Sequence, residues 1–221
     1  MRPQITTPEW LLSLTEAAKR MPVPVEMRPP ASGGRSSAVL LLFGEGEAGP
    51  DVLLIQRNTG LRRHSGQPAF PGGALEPQDA GPVDCALREA EEETGVVRDG
   101  VHVLGTLPEF YIPPTGFRVT PVLAWWHTPS EVRAVDTDEV ASVTRVPIAE
   151  LADPANRVRT VLSNGRTGPA FRVRGMLVWG FTAGILDRLL VLGGWERPWR
   201  DQNVEVIDVF RPVARDGGGT P

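Results

Sequence analysis

Three carboxylates, Glu89, Glu92 and Glu93, recur at i, i+3 and i+4 in the run Arg88-Glu89-Ala90-Glu91-Glu92-Glu93-Thr94-Gly95-Val96. On a helix that spacing gathers them on one face. The helix itself is written into the sequence: Val83, Ala86, Leu87 and Ala90 fall at i, i+3, i+4 and i+7 and define a buried stripe, and Gly95 supplies the stop. Gathering the carboxylates is unfavourable twice over. Like charges one turn apart repel by about 0.2–0.5 kcal/mol per pair. Negative charge in the last turn opposes the helix dipole by about 0.3–1 kcal/mol per charge. A bound divalent cation reverses the sign of both terms, and oxygen-only ligands select Mg²⁺ or Mn²⁺ over Zn²⁺. A solvated acidic helix face would carry the same pattern, and the charges alone fit both readings equally.

Upstream lies a second cluster with chemical potential. A strand end runs into a loop holding Arg57, Arg62, Arg63 and His64, followed by Gln67. Arginine forks suit phosphate oxygens, and several close together suit more than one phosphate group. An ordinary basic loop offsetting the acidic helix is the competing explanation. Other reactive residue types read as structural: Cys85 as a helix residue without a redox role, His102 and His127 as strand-like surface or packing positions, and Trp125, Trp126, Trp179, Trp195 and Trp199 as packing residues.

The elements that must position these residues follow from periodicity. Short apolar runs at 38–43 and 52–55, separated by glycine-rich residues 44–49, predict a strand–loop–strand pair. A helix is expected over 82–94, further strands over 101–104, 119–126 and 141–147, and a second helix over 179–192 ended by Gly193 and Gly194. Before the core, Trp10, Leu11, Leu14, Ala17 and Ala18 recur at helical spacing, with Thr7 expected as the cap and Pro8 in the first turn. We read this as a helix packed on the domain edge, followed by a proline- and glycine-rich linker. The expected organisation is residues 1–34 as helix and linker, 35–211 as the core domain and 212–221 as a tail. Interleaved strands and helices place the fold in the α/β class.

Composition bounds the function. Hydrophobic residues make up 41% and charged residues 23% of 221, ordinary for a globular chain able to bury a core without staples. One cysteine excludes an intramolecular disulfide and fits a reducing cytoplasm. A net charge of -4 argues against nucleic acid as partner. No apolar run approaches a membrane span, and the first 20 residues lack the order of a secretory signal, so no membrane partner is expected.

The acidic helix and its flank resemble the Nudix box, G-x5-E-x7-R-E-U-x-E-E-x-G-U, in which U is a bulky apolar residue. Arg88, Glu89, Glu92, Glu93, Gly95 and Val96 match its second half, with Ala90 small at the first U. Gly73 and Asp79 match the first half, with Asp in place of Glu, and eight rather than seven residues separate Asp79 from Arg88. The resemblance implies an α/β/α sandwich with a mixed sheet and a short N-terminal helical extension. It implies a metal-dependent diphosphate hydrolase in which Glu89, Glu92 and Glu93, helped by a carbonyl at Gly72 or Gly73, hold Mg²⁺ or Mn²⁺. Glu92 or Glu139 would act as the general base, and Gly73, Asp79, Arg88 and Gly95 would hold the structure of the box.

The preceding segment is similar to the signature of the coenzyme A pyrophosphatase branch, roughly L-L-T-x-R-S-x-x-L-R-x-H-x-G-Q-V-x-F-P-G-G. Leu53, Leu54, Arg57, Leu61, Arg62, His64, Gly66, Gln67, Phe70, Pro71, Gly72 and Gly73 match, while Ile55, Asn58 and Pro68 depart. The extra residue in the box also resembles this branch. The implied substrate is coenzyme A or an acyl-CoA, with Arg57, Arg62, Arg63, His64 and Gln67 as substrate-binding candidates. The resemblance is also compatible with a homodimer. Another nucleoside diphosphate derivative such as ADP-ribose, or a non-hydrolytic nucleotide sensor, remains as the alternative. The intact carboxylate set argues against a pure sensor.

Overall fold

The apolar run at 38–43 becomes a central strand because its residues alternate between two buried faces. This is seen in a computed structural model of the chain, which describes residues 5–60, 66–113, 115–162, 165–199 and, by backbone, 204–207. In chain order the elements are α1 (Glu9–Ala18), β1 (Arg35–Gly46), β2 (Gly49–Arg57), β3 (Pro68–Ala69), β4 (Gly72–Ala74) and α2 (Pro82–Thr94). There follow β5 (Val101–Thr106), β6 (Phe110–Ile112), β7 (Phe117–Trp126), β8 (Val140–Pro147) and α3 (Ile148–Ala152). The C-terminal part contains β9 (Arg157–Leu162), β10 (Thr167–Val173), β11 (Met176–Val178), α4 (Gly180–Leu192) and β12 (Val204–Ile207).

Among the described residues, β1 to β8 form one mixed sheet ordered β3-β2-β1-β7-β5, with β4 also on β1, β6 on β7 and β8 on β2. The β1–β7 pair is parallel, and the other pairs in this sheet are antiparallel. Successive side chains of a strand point to opposite faces. Ala38, Leu40 and Leu42 accordingly join Cys85, Ala86 and Ala90 of α2 in one buried cluster. Leu41 and Phe43 join Leu11, Leu14 and Ala18 of α1 and Ile185, Leu186 and Leu189 of α4 in the other. The sheet thus lies between α2 and a second layer built by α1, α3, α4 and a smaller sheet, β11-β10-β9-β12. This is a mixed α/β fold.

Trp10 shows how α1 is fixed. Its ring packs edge-on against Phe43 (5.9 Å), Trp125 (6.5 Å) and Trp195 (5.3 Å), joining α1 to β1, β7 and the segment after α4. Leu11 and Leu14 are at most 1% exposed.

Several expectations need correction. Thr7 does not cap α1: Pro8 is the N-cap residue, no side chain caps the helix, and the carbonyl of Pro8 accepts from the amides of Leu11 and Leu12. Pro8 therefore precedes the first helical turn instead of opening it. Trp179 likewise stands before α4, which starts at Gly180. The strands of the main sheet extend beyond their apolar centres, β1 by three residues at each end. The small sheet and α3 have no counterpart among the expected elements. The tail at 212–221 lies outside the described residues, and among the described residues no helix is long and apolar enough to cross a membrane.

Because Leu14 is buried where α1 meets the rest of the core, Leu14→Ala is expected to lower unfolding free energy by about 2–5 kcal/mol. Urea denaturation followed by fluorescence measures this. A loss below about 1 kcal/mol would assign α1 to the periphery.

Candidate active site

Helix α2 spans the residues expected of it. Pro82 sits in its first turn, and Gly95, at φ 73°, closes it by donating its N–H to Glu91 O (2.9 Å). That left-handed cap is open to glycine at no steric cost. The three carboxylates of its acidic face diverge sharply in environment. Glu93 is buried at 3% exposure, the Glu89 side chain is 16% exposed, and that of Glu92 is 57% exposed.

Strand β4 supplies the other wall. Gly72, paired with Val39 of β1, donates its N–H to Glu93 Oε2 at 2.9 Å. A Cβ on the next residue, Gly73, would overlap the Glu89 carboxylate, so glycine there leaves room for that carboxylate against β4. Burial pushes the Glu93 carboxyl up to about 8; the Gly72 amide and Arg57 draw it down, while Glu89 and Glu139 push it further up. Glu89 is also raised by burial, against the pull of Arg88.

Arg88 forms the frame of this region. Its Nε and Nη2 donate to Asp79 Oδ1 (2.9 Å) and Oδ2 (3.0 Å), a two-bonded fork, and its Nη1 lies 3.0 Å from Glu89 and 2.9 Å from Glu92. Nη2 also reaches Ala74 O (3.4 Å). The Asp79 side chain is 1% exposed. The Arg88 guanidinium beside it, aided by the Glu76 amide, holds the Asp79 carboxyl at about 2. The turn before α2 is thereby tied to both ends of the carboxylate face.

A third element enters from the opposite side. The β2–β8 register shifts between Gln56 and Arg57, so that Arg57 pairs with Val140. Such an irregularity re-aims the side chains beyond it. Arg57 Nη2 then meets Glu139 Oε2 at 3.2 Å, and Nη1 lies 3.7 Å from Glu93 Oε1. Arg57, expected as a substrate contact, here spans two carboxylates that are 46 residues apart in the chain. Gln67 is close by through its carbonyl, which accepts from Arg57 N at 3.0 Å. Arg62, Arg63 and His64 lie outside the described residues. His127 is bonded to Asp99 O (3.1 Å), and His102 lies opposite Trp125 at the far end of the sheet. Sequence reasoning passed over Asn58, which it met only as a departure from a signature. The available signal was an Asn two residues before Gly60 at a strand end, the composition of an Asx turn.

The comparisons with known proteins bear on this arrangement. The family model described as NUDIX domain matches residues 34–163. The chain belongs to the Nudix family. It is 40% identical over 171 residues to the protein named uncharacterized Nudix hydrolase NudL of Citrobacter koseri, covering 74% of this chain and 87% of that protein. The protein of the same name in Escherichia coli (strain K12) is 41% identical over 145 residues, covering 63% of this chain and 73% of its own. Among solved structures, a Nudix hydrolase from Nitrosomonas europaea matches with a TM-score of 0.49 at 14% identity, over 81% of each chain.

As a Nudix hydrolase the chain acts on a pyrophosphate bond, and the family uses divalent cations. The residues here suit such an ion. Glu93 Oε1 is buried without a hydrogen-bond partner, and a carboxylate so placed favours its neutral form unless positive charge is supplied. Oxygen donors converge from Glu89 and Glu93 on the β4 side, with Glu139 beyond Arg57. Glu89 and Glu92 share Arg88 Nη1, at 3.0 and 2.9 Å, and Glu92 is the more exposed of the two. Among the described residues no three acidic, His or Cys side chains already form a closed cage.

The Asp79–Arg88 fork yields a pH prediction. A carboxyl lowered from 3.8 to about 2 on folding contributes stability that is complete above the unfolded-state value and is lost as pH falls through the folded one. Asp79→Asn is therefore expected to melt below the parent at pH 7, with the gap narrowing as pH drops from about 4 towards about 2. A gap that stays constant over that range in thermal melts would reject the ion pair as its source.

Proposed function

We propose that this protein hydrolyses the diphosphate bond of coenzyme A or an acyl-CoA, releasing adenosine 3′,5′-bisphosphate and 4′-phosphopantetheine, with Mg²⁺ or Mn²⁺ as cofactor and the reducing cytoplasm as compartment. The observation that carries this reading is the position of Arg57 and Gln67. They flank the segment with Arg62, Arg63 and His64 and are bonded to each other backbone to backbone at 3.0 Å, and Arg57 stands beside Glu93 and Glu139. The two flanks of the arginine-rich segment thus meet at Arg57, and this supports a role for that segment beside the carboxylates. Coenzyme A carries a third phosphate besides its diphosphate, which gives more than one arginine an anion to meet.

In this reading Glu89 and Glu93 hold the cation, together with main-chain oxygen at Gly72, and Glu92 joins them by turning away from Arg88. When bound, the cation neutralises the diphosphate and lowers the pKa of the attacking water. Glu139 is preferred over Glu92 as general base. Both side chains are about half exposed and paired with an arginine, but the partner of Glu139, Arg57, also stands 3.7 Å from buried Glu93, whereas that of Glu92, Arg88, is committed to Asp79. Arg57 orients the Glu139 carboxylate and is well placed to turn one nitrogen of its fork to a substrate oxygen. Asp79 and Arg88 keep α2 in register without touching the reacting atoms.

Product analysis tests this directly. Incubation with coenzyme A and Mg²⁺ or Mn²⁺ is expected to give phosphopantetheine and adenosine bisphosphate, with no turnover by Glu93→Gln and a loss of about 10²–10⁴ in kcat for Glu139→Gln. Saturating Mg²⁺, at about 100 times its Kd, is expected to stabilise the parent by about 2.7 kcal/mol and to leave Glu93→Gln nearly unmoved. Turnover of ADP-ribose but not coenzyme A in the same panel would overturn the substrate reading and leave the hydrolase intact.

A further inference from the structure

The turn that presents Glu139 is shaped from within by Asp136. Its Oδ1 accepts from the amides of Asp138 (3.0 Å) and Glu139 (3.2 Å), and its carbonyl accepts from Val140 (2.8 Å). These bonds close the turn on itself but do not fix its place against the rest of the site. That placement comes from the end of β2. Asn58 N donates to Glu139 O at 2.7 Å, and Asn58 Nδ2 donates to Thr137 O at 2.8 Å. The two bonds grip carbonyls on either side of Asp138, so the turn cannot pivot about a single tie. The same side chain accepts from Gly60 N through Oδ1 (3.2 Å), and the Asn58 carbonyl accepts from Gly66 N (3.4 Å). One partner accepts and the other donates, so the bonding pattern itself sets the orientation of the amide.

We propose that Asn58 is the positioning residue for Glu139: its side-chain amide locks the 136–139 turn onto the end of β2 and so holds the Glu139 carboxylate at Arg57, facing Glu93. The proposal rests on the reading of Glu139 as general base. The side-chain requirement is narrow. An amide supplies a donor for Thr137 O and an acceptor for Gly60 N at once. Aspartate lacks the donor. Serine accepts from the amide two residues on, as in an ordinary serine turn, but its hydroxyl is one bond too short to reach Thr137 O as well. Asn58→Ser therefore removes the side-chain tie to Thr137 O, leaving the turn on the single main-chain bond from Asn58 N to Glu139 O, while keeping the tie to Gly60.

The test combines kinetics with hydrogen exchange on the full chain, using Mg²⁺ and the diphosphate substrate turned over in the panel above. Asn58→Ser is expected to lower kcat about tenfold with KM within about twofold, and to add no further loss in a Glu139→Gln background. Amide exchange in the peptide covering 137–140 is expected to rise about fivefold, with α2 unchanged. Losses that multiply in the double variant, or a raised KM with unchanged kcat, would overturn the proposal, because either assigns Asn58 an effect independent of Glu139. Unchanged exchange at 137–140 would overturn it without reference to catalysis. A parental kcat in Glu139→Gln alone would remove the general-base reading, and the exchange result then decides whether Asn58 holds the turn.

Discussion

Burying one end of an acidic helix against a sheet sets the terms for the rest of this protein. Glu93 is taken out of water on α2, yet the only hydrogen bond described for its carboxylate comes from the Gly72 amide at 2.9 Å. A buried carboxylate with one oxygen unmatched is unfavourable in proportion to how little positive charge surrounds it. Each neighbouring feature follows from that constraint. β4 must bring a main-chain donor within reach, Gly73 must lack a side chain so that Glu89 can share the wall, and Arg57 must arrive from β2. The site is poised for a cation because the polypeptide by itself leaves Glu93 under-compensated.

The two arginines divide the labour of holding that charge. Arg88 engages Asp79, Glu89 and Glu92 at 2.9–3.0 Å and joins the loop before α2 to the helix face. A longer spacing between Asp79 and Arg88 does not loosen this, because Asp79 is itself held in a tight turn: Asp79 N donates to Glu76 O, and Glu76 N donates to Asp79 Oδ2 (2.8 Å). Arg57 works across a wider span and joins α2 to the turn before β8. Its guanidinium meets the carboxylates at 3.2 and 3.7 Å, longer than the fork on Asp79, which fits a group that can exchange partners.

Much of this was legible in the residues themselves. The limits of α2, its buried stripe and its glycine stop are local properties, set by a 3.6-residue period and by backbone preferences that need no distant partner. The apolar centres of β1, β2, β5, β7 and β8 were visible for the same reason. Thr7 was misjudged because a capping residue and a proline side by side admit two starting points for a helix, and only the packing of Leu11 and Leu14 into the core selects one. The small sheet was missed because β9 and β10 interrupt their apolar residues with arginine, threonine, glycine and proline and β11 is only three residues long, so these strands are settled by pairing with one another and by packing against α4.

The sequence by itself determined the chemistry on offer: a carboxylate-bearing helix of defined length, a glycine-walled approach to it, an arginine-rich segment upstream and the Nudix family to which these belong. Tertiary structure decided which carboxylates share the buried site and which do not. Glu89, Glu92 and Glu93 look equivalent as letters, yet Glu93 is buried, Glu89 is walled by Gly73 and Glu92 is turned out to Arg88. Glu139, half exposed, comes near Glu93 through Arg57, where the β2–β8 register shifts and Asn58 bonds to the 136–139 turn. The physical reason is the range of the interactions. Helix periodicity and glycine stereochemistry act within a few residues, whereas burial and the pairing of charges depend on which strands lie side by side, and that is settled by the packing of the whole core.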